Sequence, residues 1–137
     1  MIRNMVGRIL HNSKNMKNTR RDGAYKEHNR HGILVREGKY RNGMRIGTWR
    51  IYNELTGKLV IEEDYEQGVL NGIYRSFYED GSVFSIGHYH NNKRDGEFRI
   101  FDREGSHIMT MRFHDDILLQ VTDYKTKKKA GMKPSAV

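Results

Sequence analysis

Residues 47–68 read GTWRIYNELTGKLVIEEDYEQG, and the same arrangement of glycine and aromatic residues returns in 72–92 and 96–116. A weaker copy begins at Gly23, and successive copies are 24 or 25 residues apart. Each copy holds two short runs rich in aromatic and β-branched residues, bounded by Gly, Asn or Asp, which is typical of two strands and a turn. The repeat therefore predicts a chain of β-hairpins that stack on one another, because one hairpin alone buries too little apolar surface.

Aromatic residues keep their places in the repeat. Counted from the first glycine, the second position holds Tyr25, Trp49, Tyr74 and Phe98, and the fifth holds His28, Tyr52, Phe77 and Phe101. Eight positions after the second glycine come Tyr40, Tyr65, Tyr89 and Phe113. Strict alternation puts Leu34, Leu59 and Val83 on the face of Tyr40, Tyr65 and Tyr89, and we expect that face to be buried.

Turn dipeptides support the hairpin interpretation. Asn42-Gly43 and Asp80-Gly81 favour type I′ turns, in which both central residues have positive φ, and Asn91-Asn92 enters the left-handed region at modest cost. A helical interpretation fails because glycine recurs in every copy and no apolar stripe follows a period of 3.6 residues.

These residues resemble MORN repeats, most closely the variant repeats of small bacterial proteins that are described as antitoxin- or immunity-like. The resemblance covers residues 16–116, and its strongest segments are 38–43 (GKYRNG), 47–49 (GTW), 65–68 (YEQG) and 80–82 (DGS). Thr19 replaces a turn glycine, His28 replaces an aromatic residue, and Asp115-Asp116 replaces Asn-Gly. The resemblance implies an elongated, twisted antiparallel sheet that serves as a binding scaffold, and it implies no shared chemistry.

The resulting organisation is an all-β, single-sheet array of antiparallel hairpins with four parts. We expect an N-terminal cap or flexible segment at 1–15, MORN-like repeats at 16–116, a C-terminal cap at 117–124, and a disordered basic tail at 125–137. The chain has 137 residues, which suits one domain, and its hydrophobic content is 36%. No stretch reaches the length of a membrane span, the start is too charged for a signal peptide, and there is no cysteine. We therefore expect a cytoplasmic protein.

The formal net charge of +8 comes from the two ends of the chain. The middle, residues 32–122, holds 12 Lys and Arg against 14 Asp and Glu. Basic residues of the tail are Lys125, Lys127, Lys128, Lys129 and Lys133. Such an end is a solubilising segment or an electrostatic contact to nucleic acid or anionic lipid, and composition leaves both interpretations open.

A second apolar column lies three residues after the second glycine and contains Val35, Val60, Phe84 and Ile108. Its parity is opposite to that of Leu59 and Tyr65, and Ile86 extends it. One interpretation is a partner surface on the second face of the sheet. The other is that β-bulges turn these residues inward, or that the N-terminal segment covers them. Candidate contact residues for a partner are Val60, Tyr78, Phe84, Ile86 and Ile108.

Two groups of polar residues raise the question of catalysis. His88 and His90 share a strand face by alternation, His114 is the repeat equivalent of His90, and three imidazoles on one face can hold Zn²⁺. Glu62, Glu63, Asp64 and Glu66 form an acidic run, which we interpret as a solvated face that balances Arg36, Lys39 and Arg41. Both groups are expected at solvent-facing positions, so we expect no catalytic, cofactor or metal site and no enzyme activity.

The most favoured function is a non-enzymatic repeat scaffold that binds another protein, as a toxin or enzyme target would be bound by an antitoxin, immunity protein or inhibitor. The alternative is an electrostatic binder of nucleic acid or acidic lipid that uses the basic ends. A homo-oligomer formed through an open sheet edge is a further possibility.

Overall fold

The structure, a computed structural model, describes residues 20–125. Its strands are β1 Gly23–His28, β2 Leu34–Arg41, β3 Met44–Tyr52, β4 Leu59–Glu66, β5 Val69–Phe77, β6 Val83–His90, β7 Lys93–Arg94, β8 Gly96–Phe101, β9 His107–His114 and β10 Ile117–Asp123. They form one antiparallel sheet in the order β1 to β6, β8, β9 and β10, and the short β7 pairs with β6. The predicted all-β, single-sheet array of hairpins is thus confirmed.

Several predictions fall outside the described residues. These are the N-terminal segment at 1–15, the first residues of the repeat region at 16–19, and the disordered tail beyond Lys125, with Lys127, Lys128, Lys129 and Lys133. The segment predicted as a C-terminal cap, 117–124, contains β10. This strand pairs with β9 and is itself the outermost strand of the described sheet.

The turns between copies are type I′, because both central residues have positive φ. These pairs are Asn42-Gly43, Gln67-Gly68, Asn91-Asn92 and Asp115-Asp116. The prediction for Asn42-Gly43 is confirmed, whereas Asp80-Gly81 forms a different turn. There only Gly81 has positive φ, and its N–H donates to the Tyr78 carbonyl at 3.0 Å, as in a type I turn closed by a left-handed glycine. Asp80 instead accepts the Ser82 N–H at 2.9 Å.

Every repeated hairpin contains a β-bulge at the same place. The cross-strand register pairs Ile51 with Ile61 and Tyr52 with Leu59, so Val60 is an extra residue without a partner. Val35, Phe84 and Ile108 occupy the same extra position in their hairpins. The second apolar column predicted from the sequence is therefore a column of bulge residues. The bulges do not turn all of these residues inward, since Phe84 is 40% exposed.

The bulges also reverse the alternation on which the predicted core depended. Leu59 lies across from Tyr52 and Val83 lies across from Phe77, and Leu34 likewise lies across from His28. Directly paired residues share a face. The prediction that Leu34, Leu59 and Val83 pack with Tyr40, Tyr65 and Tyr89 is wrong, because one extra residue per hairpin moves them to the other face.

Buried rings form the core on one face of the sheet. Trp49 is 1% exposed, and Phe98 and Phe113 are also buried. Gly38 and Gly87 make room for this packing, since a Cβ at Gly38 would overlap the Trp49 ring and a Cβ at Gly87 would overlap the Phe98 ring. Glycine on one strand thus leaves the space that a large ring of the next strand occupies.

Candidate protein-binding surface

The face that carries the core, which we call the ring face, holds eight aromatic rings in two groups. The groups are Tyr25, Tyr40, Trp49 and Tyr65, and Tyr74, Tyr89, Phe98 and Phe113. Within them, the ring centroids of Tyr40 and Trp49 are 4.9 Å apart and those of Phe98 and Phe113 are 5.4 Å apart, both in edge-to-face arrangements. Such pairs add stability beyond their buried area, so the rings interlock across strands.

Arginine side chains lie over the rings. The Arg45 guanidinium carbon is 4.7 Å from the Trp49 centroid, and that of Arg94 is 4.3 Å from the Phe113 centroid. Arg45 also donates to the Tyr65 hydroxyl at 3.1 Å. Hydrogen bonds from Arg45 and Arg21 hold the pKa of Tyr40 below its ordinary value, although burial alone would raise it. The ring face is therefore closed by stacked cations and offers little free apolar surface.

Glu63 lies on the ring face between the two groups of rings. It pairs with Trp49 on β3 and with Tyr74 on β5, and it accepts the Tyr65 hydroxyl proton at 2.8 Å. Burial and then the hydrogen bond to Glu63 raise the pKa of Tyr65. Sequence reasoning placed Glu63 on a solvated acidic face, and the structure corrects this because neighbouring strand residues point to opposite faces.

The other members of the acidic run also have partners that the sequence did not indicate. Glu62 forms ion pairs with Arg50 at 3.3 Å and Arg75 at 3.5 Å. The Asp64 carboxylate accepts the Thr48 hydroxyl proton at 2.8 Å. The expected balance with Arg36, Lys39 and Arg41 is therefore wrong. The register brings β3 and β5 against β4, so residues of those strands provide the cations.

The face opposite the rings, which we call the charged face, carries one row of residues that crosses every long strand. In order of strands it contains Lys26, Glu37, Arg50, Glu62, Arg75, Ile86, Arg99, Thr110 and Thr122. Charges alternate in sign over the first five members. Lys26 and Glu37 approach to 3.8 Å. Ile86, a predicted contact residue, sits in this row between two arginines.

Aromatic residues of the fifth repeat position share the charged face with this row. Tyr52 donates its hydroxyl proton to Glu37, and burial together with this bond raises the pKa of Tyr52 to about 12. A shallow groove of about 420 Å³ lies one hairpin further on, lined by Lys58, Leu59, Phe77, Glu79, Asp80 and Gly81. Sequence reasoning did not name this groove. Trp49 and Tyr52 are three residues apart on one strand, and that odd spacing was the available signal for aromatic residues on both faces.

An aromatic pair with one exposed ring stands at the end of the hairpin that borders the groove. The rings of Tyr78 and Phe84 are edge to face with centroids 5.2 Å apart, and Phe84 is 40% exposed. The Tyr78 hydroxyl donates to the Phe101 carbonyl at 2.8 Å, and the Arg103 guanidinium carbon is 5.1 Å from the Tyr78 centroid. This pair is anchored to the next hairpin while one of its rings stays open to solvent.

The predicted contact residues do not form one continuous strip. Phe84 is exposed, whereas Val60, Tyr78, Ile86 and Ile108 are only partly exposed. They lie on β4, in the β5–β6 turn, on β6 and on β9. The structure brings Tyr78 and Phe84 into contact and leaves Val60 and Ile108 in the bulges of other hairpins.

The histidines do not assemble as a site. His114 Nδ1 lies 3.0 Å from Asp95 and its Nε2 lies 3.9 Å from Asp115. These three residues are the one cluster among residues 20–125 with metal-ligating groups in reach of each other, and His88 and His90 are not part of it. All three histidines are exposed. The cluster is a group of polar side chains on the surface beside a type I′ turn, in which His114 lies within hydrogen-bond distance of Asp95.

Charge is evenly balanced in the part of the chain that the structure describes. All 17 Asp and Glu lie within residues 20–125, together with 17 of the 25 Lys and Arg. The excess cations are Arg3, Arg8, Lys14, Lys17, Lys127, Lys128, Lys129 and Lys133, all outside the described residues. With histidine neutral, the described residues 20–125 therefore carry no net charge.

A family model described as MORN repeat variant matches residues 70–91. This segment contains nearly all of β5 and β6 with the turn between them, and the same bulge and turns recur in the other hairpins. The predicted resemblance to MORN repeats is therefore confirmed, and MORN repeats are in general binding modules. No curated protein matches the chain. Residues 20–125 contain no helix that is long and apolar enough to cross a membrane.

Proposed function

We propose that this chain is a non-enzymatic MORN repeat scaffold that binds another protein, and that it acts on its partner in the manner of an antitoxin, immunity protein or inhibitor. Its contact surface is centred on Phe84 and Tyr78 and extends to Ile86 and the groove beside Phe77. Val60 and Ile108, on neighbouring hairpins, lie at the periphery of this surface.

The observation that carries the proposal is the solvent exposure of Phe84 on an anchored support. Interface energy concentrates in a few aromatic and arginine side chains that are already held in place, because little side-chain entropy is then lost on binding. Tyr78 and Arg103 are residues of those types, and their contacts hold the pair to the neighbouring hairpin. The adjoining groove offers Leu59 and Phe77 to an apolar side chain of the partner, with Lys58 and Asp80 at its rim.

An inhibitory mode suits the rest of the surface. The ring face is closed by its own arginines, and the cations of the charged face are neutralised in sequence by Glu37 and Glu62. A protein with these features works by occupying a partner's surface, since Lys26, Arg50 and Arg75 are already engaged by acidic residues of the sheet itself.

The binding proposal is tested by affinity purification from source cells with three versions of the chain. Wild type and Ile73→Ala are expected to recover the same protein in stoichiometric amounts, because Ile73 is exposed to the same degree as Phe84 (41%) but lies outside the surface. Phe84→Ala is expected to reduce recovery at least about tenfold, as for an aromatic residue at the centre of an interface. Equal recovery by Phe84→Ala and wild type, or recovery of no protein, contradicts the proposal.

The inhibitory role needs a separate measurement on the recovered partner. Its activity, or its toxicity when it is produced in cells, is expected to fall to background when the chain is present in slight excess, and to return with Phe84→Ala. A partner that binds the chain and keeps full activity shows a scaffold without inhibition. The electrostatic alternative is distinguished by salt, since phosphate contacts weaken steeply between low and moderate ionic strength and an interface centred on Phe84 does not.

A further inference from the structure

The last strand of the sheet, β10, differs from every other strand in the exposure of its apolar residues. Ile117 is 64% exposed and Leu119 is 60% exposed. The large hydrophobic residues exposed in 117–124 are Ile117, Leu118, Leu119, Val121 and Tyr124, which is more than half of those exposed anywhere in residues 20–125. Exposed apolar clusters of this kind mark interaction surfaces.

The backbone of β10 adds a second feature. Within the described sheet β10 pairs only with β9, so its outer edge presents N–H and C=O groups to an incoming strand. Open, apolar edges are unstable in isolation, and proteins normally protect them with charges, proline, a β-bulge or a covering segment. Of these devices β10 has a bulge at Leu119, between the pairs Leu118–Phe113 and Gln120–Arg112, but no proline. Gln120 interrupts the apolar run of β10, and its only charged residue, Asp123, lies at its end.

The opposite edge of the sheet is protected in the expected way. The strand β1 begins with Gly23 and carries Lys26 and Glu27 side by side, and Lys26 points to solvent. Pairing with such an edge would place the apolar side chains of β10 beside charged ones and bury little of their surface. A head-to-tail contact of β10 with β1 would also add copies without limit and produce fibres.

We propose that β10 is the interface between two copies of this chain, which pair antiparallel about a two-fold axis and join their sheets into one. Antiparallel pairing sets the two Asp123 residues at opposite ends of the interface. It also brings Lys125 of one copy close to Asp115 of the other, so charges of opposite sign meet at both ends, while Asp116 keeps its ion pair with Arg94 of its own chain. Strand pairing satisfies the edge groups, and the exposed leucines, Ile117 and Val121 lose water on both faces.

The first test is the mass of the full chain in solution, measured by light scattering or sedimentation over a range of concentrations. We expect a species of twice the chain mass, and at least about a tenfold weaker association for Leu119→Lys, because the lysine would have to bury a charge or distort the pairing. Leu55→Lys is the matched control. Leu55 is the most exposed large hydrophobic residue in the described chain and lies in a turn far from β10 in sequence, so its variant should dimerise as wild type does.

The second test fixes the geometry and uses the lack of native cysteine. With a short thiol cross-linker, Gln120→Cys is expected to give a covalent dimer and no larger species, whereas Lys26→Cys, which still associates through β10, is expected to give no covalent dimer. A ladder of oligomers formed only when both cysteines are present in one chain would show β10–β1 pairing and overturn the proposal. A monomer at all concentrations, as expected if another segment of the chain covers β10, overturns it as well.

Discussion

The two faces of this sheet are made from alternate residues of the same strands, yet they are stabilised differently. On the ring face Trp49 and Phe98 fill space left by Gly38 and Gly87, so the stabilisation of this face depends on a close fit of shapes. On the charged face Glu62 joins Arg50 and Arg75 by ion pairs that remain near water. Close-packed apolar groups tolerate little change in volume, whereas exposed ion pairs contribute little each. The repeat is therefore constrained mainly on one face, which leaves the other free to vary.

The largest expected effect comes from removing a ring of the core. Trp49→Ala should lower the free energy of unfolding by about 3–5 kcal/mol, because it leaves a cavity and removes the surface on which Arg45 stacks. Denaturant unfolding measures this loss. Phe84→Ala, which truncates an exposed ring on the same scaffold, is the control and should cost less than about 1.5 kcal/mol. Equal losses for the two variants would contradict the assignment of the core to the ring face.

Adding one methyl group at the close approaches is expected to have the next largest effect. Gly38→Ala and Gly87→Ala should each cost roughly 1–3 kcal/mol, since the new Cβ overlaps the ring above it. Glu63→Ala is the matched control because Glu63 holds the corresponding place between Trp49 and Tyr74 and already has a Cβ. Thermal unfolding of the three variants gives the comparison. A larger fall in Tm for Glu63→Ala than for Gly38→Ala and Gly87→Ala would refute the packing argument.

Sequence alone predicted the hairpins because glycine and aromatic residues recur where backbone and core require them. Gly43 permits the positive φ of its turn, and Trp49 recurs as an aromatic residue in each copy because each hairpin must bury a ring against the next. The single-sheet architecture and the place of the rings follow from these two requirements.

The bulges could not be predicted by counting alternate residues. Val60 and Phe84 look like ordinary strand residues in the sequence, and only the cross-strand register shows that each is an extra residue. One extra residue moves the strand residues that precede it in the chain to the other face of the sheet. For this reason the residues of the predicted partner strip lie in the separate bulges of different hairpins. The contact of Tyr78 with Phe84 was also hidden, because the turn between them is longer than the predicted type I′ turn.

Breaking the ion pairs of the charged face should lower the free energy of unfolding less than truncating Trp49 or adding a methyl group at Gly38 or Gly87. Glu62→Gln is expected to cost about 1 kcal/mol or less, and the cost should shrink further at high salt because the arginines remain near solvent. Urea unfolding at two ionic strengths measures both quantities. A loss as large as that of Trp49→Ala, unaffected by salt, would mean that the two faces are stabilised alike.

The smallest loss of unfolding free energy at neutral pH is expected for Tyr52→Phe. This substitution removes one hydrogen bond to Glu37, and Glu37 still has Lys26 as an ion-pair partner. Its consequence appears in alkali. Burial and the bond to Glu37 raise the pKa of Tyr52 to about 12 in the folded chain, whereas the ordinary value is 10.0. Below pH 10 both states keep the proton and the stabilisation is fully present. Between about pH 10 and 12 the unfolded chain ionises first, so the stability falls as pH rises.

Tyr52→Phe should therefore flatten the dependence of unfolding free energy on pH in that alkaline window, and Glu37→Gln should flatten it in part, because the amide still accepts a hydrogen bond but carries no charge. Chemical unfolding at several pH values measures the slope. Some slope must persist in both variants, since burial also raises the pKa of Tyr65, Tyr74 and Tyr89 on the ring face. An unchanged slope in Tyr52→Phe would assign the whole alkaline effect to the ring face and leave the charged face without any part in it.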